Sequence, residues 1–166
     1  MREPLIAVAL VLCACTGSIG GDPDDDKYKL PDGGQSTAAH LFCITETNRF
    51  RGIEGRPAIE HSAQLEAYAN HGAMIDSSSS PHHHFISTGG GGIAFAENEC
   101  PNWELAWHGG DMMTLVAACL QAFYDEGPGT GDAHGHYNNM MGDYGTLGCG
   151  IFESGAVVTI VQDYGE

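Results

Sequence analysis

The sequence predicts an α+β domain in which helices cover both faces of an antiparallel sheet. Three observations carry this. Met112, Leu115, Val116, Cys119, Leu120 and Phe123 recur at i, i+3, i+4, i+7, i+8 and i+11, an unbroken apolar helix stripe. Thr146–Phe152 and Val157–Tyr164 flank Glu153-Ser154-Gly155-Ala156 and read as an antiparallel hairpin. Val157, Val158, Ile160 and Val161 are apolar on both sides of their strand, which therefore needs helices above and below it.

The chain starts with export signals. Arg2 precedes an apolar run from Leu5 to Leu12, long enough for a secretory core and too short to span a bilayer. Its end, Leu12-Cys13-Ala14-Cys15, resembles a bacterial lipobox, which implies that Cys15 is lipidated and becomes the mature N-terminus. A secretory signal cleaved nearby is the alternative. Residues 1–15 thus read as a lipoprotein signal peptide. Residues 16–37 hold Gly20-Gly21, Asp24-Asp25-Asp26, Pro31 and Gly33-Gly34, and read as an acidic, Gly/Pro-rich disordered linker. Residues 38–166 are then one domain, long enough for a core of its own.

Within it, Thr37 is expected to cap a first helix with Leu41, Phe42 and Thr45 on one stripe, ended by Gly52 to Pro57. Ser62 caps a second, with Leu65, Tyr68, Ala69, Gly72 and Ile75 at helical spacing to about Asp76. Ser77 to Pro81 break it. From His82 to Cys100 the chain reads as a loop, loosened by Gly89 to Gly92. The striped helix stops at Gly127-Pro128-Gly129, and a short helix follows around Gly135–Met141.

Charge narrows the partners. The net charge is −16, the last Lys or Arg is Arg56, and from Pro57 onward there are fourteen Asp or Glu. Such a surface repels phosphate backbones, which excludes nucleic acid, and repels anionic lipid, so membrane contact is expected through the lipid anchor only. A buried carboxylate in that half can be neutralised only by a proton, a His, a helix N-terminus or a metal. Beyond the leader stand Cys43, Cys100, Cys119 and Cys149. An even count in an exported chain suggests two disulfides. Three pairings are open, of which we favour Cys100–Cys119 with Cys43–Cys149.

Several residues could carry chemistry. Glu126 follows Phe123 by three positions and continues the buried stripe, yet sits in a last turn where the helix dipole disfavours negative charge. It needs a cation or strong donor, or it lies in water. His136, with His134 as its alternate, could supply that partner, and a neutral imidazole beside a carboxylate can chelate a divalent metal. Glu97 follows the apolar approach Ile93-Ala94-Phe95. His82, His83 and His84 form a run that binds metal adventitiously by default but could give one ligand.

The block His136-Tyr137-Asn138-Asn139-Met140-Met141 with Gly148-Cys149-Gly150 resembles the signature of the CAP superfamily, the cysteine-rich secretory, antigen 5 and pathogenesis-related (SCP-like extracellular) proteins. Asn48-Arg49-Phe50-Arg51, Ala96-Glu97-Asn98, Phe123-Tyr124-Asp125-Glu126 and Val161-Gln162-Asp163-Tyr164 are similar to its other motifs, in order, over about residues 43–164. Ala96 and Phe123 depart from the usual Gly and Trp. The resemblance implies a three-layer α-β-α sandwich and a cleft of two His and two Glu. Carried across, these metal-capable residues are His82, Glu97, Glu126 and His136, with His84 the runner-up for His82.

The resemblance implies a non-enzymatic module for a small molecule, lipid or envelope protein, and the leader implies that it is lipid-anchored outside the cytoplasm or secreted. It holds Zn or another divalent metal if any cofactor. No Ser or Cys nucleophile stands beside a base, so no catalytic residue is assigned. The alternatives are a metal-dependent hydrolase with Glu97 or Glu126 as base, and a structural envelope protein whose cleft merely satisfies buried polar groups.

Overall fold

The computed structural model describes residues 37–166; the signal segment, Cys15 and all but the end of the linker lie outside the described residues. The elements are α1 (Ala38–Ile53), β1 (Glu60–His61), α2 (Ala63–Asp76), α3 (His83–Thr88), β2 (Ala96–Glu104), α4 (Met112–Asp125), α5 (Gly135–Met140), β3 (Thr146–Ser154) and β4 (Val157–Gly165). Thr37, Ser62 and Asp111 cap α1, α2 and α4 with side-chain oxygens on backbone N–H groups.

The sheet runs β1-β3-β4-β2. β3 and β4 pair antiparallel, as expected; β2 adds antiparallel to the other edge of β4, and β1 adds two residues parallel to β3, so the sheet is mixed. Alternation along the strands sorts the layers. Val158, Ile160 and Tyr164 of β4 join the large core with Leu115, Val116, Cys119, Leu120 and Phe123 of α4 and Phe50 of α1. Val161 instead packs against Ala69 and Ala73 of α2, on the opposite face. Helices therefore do cover both faces. Each fully buried large side chain of α4 stabilises the fold by about 1.5–3 kcal/mol.

Gly148-Cys149-Gly150 shows the same alternation at closer range. A Cβ on Gly148 would lie 2.1 Å from the Glu66 nitrogen, and one on Gly150 2.1 Å from the Ala69 carbonyl carbon. These two glycines let the α2 backbone lie directly on β3. Cys149 points the other way and bonds Cys43 of α1, while Cys100 of β2 bonds Cys119 of α4. Both favoured pairings are formed, and each ties the α1/α4 layer to the sheet. Two disulfides suit an oxidising, extracytoplasmic compartment. No described helix is long and apolar enough to cross a membrane.

Two expectations are corrected. The stretch His82–Cys100 is not loop: it forms α3, a tight glycine turn and the start of β2. α1 also buries another face. Leu41 is 47% exposed and Thr45 is exposed, whereas Cys43, Ile44, Thr47, Phe50 and Arg51 are buried. Polar residues can line that face because each has a partner. Arg51 donates to the carbonyls of Met140, Gly142 and Pro57, and Thr47 accepts from Gln162.

Candidate functional site

β2 is an edge strand, and the site is built over it from both layers. Glu97 and Glu99 are two residues apart in β2 and so share a face, with Asp163 of β4 directly opposite Glu97. This is the α2 face, and all three side chains are buried there. From the other layer, Asn98 donates to the His136 carbonyl at 3.0 Å, and Asn139 donates to the Glu97 carbonyl at 3.0 Å. These amides pin α5 to the strand and bring His136 to its edge.

His82 arrives from the other side. It precedes α3 in a left-handed conformation, φ 61° and ψ 11°, which costs a non-glycine residue about 1–2 kcal/mol. Its backbone N–H donates to Glu99 Oε2 at 2.6 Å, and its Nδ1 meets Glu97 Oε1 at 2.8 Å. Of the triple run, then, His82 reaches Glu97. His83 is exposed. His84 turns inward, with its N–H on Asp76 at 2.9 Å and its ring on His71 and Tyr68.

Glu126 closes the opposite side at the end of α4. Its Oε2 accepts the backbone N–H groups of His136 (2.9 Å) and Tyr137 (3.2 Å), and its Oε1 meets His136 Nδ1 at 2.5 Å. The strong donors that its position demands are thus present. His134 does not share this role; its Nδ1 faces the Glu126 and Gly127 carbonyls.

The two pairs face each other. The His82 and His136 rings lie 6.3 Å apart between centroids and 29° from parallel, and Phe123 stacks on His136 at 4.6 Å. Each Nδ1 is held by a glutamate, the arrangement that sets the tautomer of a metal-binding His and leaves the lone pair on Nε2.

Behind the cleft lies an acid cluster that sequence reasoning missed, comprising Glu99, Asp163 and Asp76. His82, Glu97 and Glu99 place one donor atom each within 4.8 Å of one another. Glu97 Oε2, Glu99 Oε1 and both Asp163 oxygens are buried without another hydrogen-bond partner. Burial pushes Glu99 up to about 7. Burial, then the charge of Glu97, raises Asp163 well above the usual carboxylate range, and burial raises Glu97 as well, against the hydrogen bond from His82. The hydrogen bond to Glu97 raises His82 against the opposing effect of burial. The signal for the cluster was the Glu97/Glu99 alternation, visible only once this stretch is read as a strand. Imidazole and carboxylate donors with unsatisfied buried oxygens suit a divalent cation.

Helices over both faces of a small sheet, two disulfides into one layer and facing His–Glu pairs over an edge strand define a CAP-type domain. The family model "CAP: Cysteine-rich secretory protein family" matches residues 44–164, and the chain belongs to that family. No curated protein matches the sequence. Solved structures that share the fold include Na-ASP-1 (TM-score 0.60, 18% identity, 80% of this chain and 39% of that one). Hookworm platelet inhibitor is similar at 0.59, with 14% identity over 83% of this chain and 74% of that one. NaASP2 with Zn2+ is similar at 0.57, with 17% identity over 81% and 83%. The chain thus spans well under half of Na-ASP-1.

Proposed function

We propose that this CAP domain is a non-enzymatic binding module, lipid-anchored outside the cytoplasm through Cys15, whose cleft holds one divalent ion. The carrying observation is the pair of facing imidazoles, each oriented by a glutamate at Nδ1. Imidazole donors favour zinc among the common ions, and one structural neighbour is NaASP2 with Zn2+. His82 and His136 would hold the ion, with Glu97 and Glu126 fixing their rings. The ligand is a small molecule, a lipid or an envelope protein. A non-enzymatic role is supported by the cysteines: all four described ones are in disulfides, so none is a free nucleophile.

A second reading, a metal-dependent hydrolase, draws on Glu97 Oε2, which is buried without a partner beside the histidines. A bound zinc would supply Lewis acidity and an acidified water. Glu97 or Glu126 would then have to release its imidazole to act as base, which weighs against this reading.

Calorimetry with zinc on protein purified without a His-affinity step tests the first reading. One tight equivalent is expected, lost in the His136→Ala/Glu126→Ala double variant; unchanged binding overturns it. Turnover of a peptide and ester library, abolished by Glu97→Gln, would establish the hydrolase, and no turnover removes it.

A further inference from the structure

The chain has two tryptophans, and both line one groove. The groove has a volume of about 490 Å³ and is bounded by Asn102, Trp103, Glu104, Trp107 and His108. That volume is in the range of small-molecule sites. No lining residue belongs to the His/Glu cleft, so the groove does not depend on the metal reading.

Its walls are held in place. β2 breaks register between Cys100 and Trp103, with Asn102 left-handed at φ 52°. The Asn102 amide donates to Thr159 Oγ1 at 3.1 Å and its side chain to the Ser77 carbonyl at 3.2 Å. After the strand, Leu105 N–H meets the Ala156 carbonyl at 3.0 Å, and the Gly109 and Gly110 amides fold back on Ala106 and Leu105. This turn holds Trp107 83% exposed. Trp103 is half-buried against the core and stacks on His108 at 5.6 Å. An indole kept in water by a fixed turn adds nothing to the core, and its apolar face stays available to a ligand.

Charge selects the ligand. Glu104 is the only carboxylate or permanent charge in the lining, and no Lys or Arg occurs after Arg56. An anion meets no permanent counter-charge there, and a purely apolar ligand would desolvate Glu104 without compensation. An alkylated cation satisfies both the ring faces and the carboxylate. We propose that this groove binds a quaternary ammonium group of the choline type, with Trp107 and Trp103 as aromatic walls and Glu104 as counter-ion. A free cation and a lipid headgroup present the same chemistry.

Because both tryptophans are in the groove, intrinsic fluorescence reads it directly. Choline, titrated at constant ionic strength, is expected to give a saturable emission change. Trp107→Ala and Glu104→Gln should each weaken it about three- to tenfold, while His83→Ala, on an exposed side chain, leaves it unchanged. Trp107 is too exposed for its removal to unfold the chain. Neohexyl alcohol, the uncharged isostere of choline, should bind several-fold more weakly. Competition by phosphatidylcholine vesicles assigns the source to a headgroup, and lack of it to a free cation. The proposal is overturned by an absence of saturation well above millimolar choline, by equal affinity for the alcohol, or by competition from phosphatidylglycerol vesicles.

Discussion

His82 and His136 come from opposite layers of the domain yet face each other 6.3 Å apart, each with its Nδ1 on a different glutamate. The pairing predicts what each glutamate contributes. Glu126→Gln keeps the shape but can no longer hold His136 as a charged acceptor, and zinc affinity should fall about 10- to 100-fold. His83→Ala, on an exposed side chain, should change it little. Calorimetry on both variants checks this, and equal effects would count against the pairing.

The pH dependence of the metal-free protein follows from the acid cluster. Glu99 is raised to about 7 from an ordinary value of 4.5, and Asp163 and His82 are raised too. A group raised in the fold contributes stability below its unfolded value and loses it as pH climbs through the folded one. The metal-free domain should therefore lose stability from Glu99 between roughly pH 4.5 and 7. Glu99→Gln keeps an acceptor for the His82 N–H and removes the charge. Its Tm, measured against wild type, should gain more at pH 8 than at pH 4.5.

The layer contact through β3 is tight enough to predict a single-methyl effect. Gly150→Ala would put Cβ 2.1 Å from Ala69 backbone atoms, which cannot rotate away. A loss of about 3 kcal/mol is expected in denaturant unfolding. A neutral result would mean that α2 does not lie on β3 as described.

Cys43 and Cys149 are 106 residues apart. Replacing both by Ser should reduce stability by about 2–5 kcal/mol. Thermal unfolding of the double variant under oxidising conditions measures this.

The parts of this fold legible in the sequence are those held by apolar periodicity. α4 and the β3–β4 hairpin bury Leu115, Leu120, Val158 and Ile160, and their patterns say so. α1 misleads because its inward face carries Thr47 and Arg51, whose partners Gln162 and Met140 are distant in the chain. α3 was illegible for a related reason. It has no apolar stripe and begins where the carboxylates of Glu99 and Asp76 hold the amides of His82 and His84. The first stretch of β2 hides as well, since its inward residues on one face are acids. The candidate ligands could be placed by resemblance, but the cluster behind them needed the strand register.

The most direct test is long-range proton–nitrogen NMR of the histidine rings before and after one equivalent of zinc. Zinc is expected to shift Nε2 of both His82 and His136 and leave their Nδ1 protonated against Glu97 and Glu126. Shifts at Nδ1 of His82, or confined to His83, would contradict a site built on the two facing imidazoles.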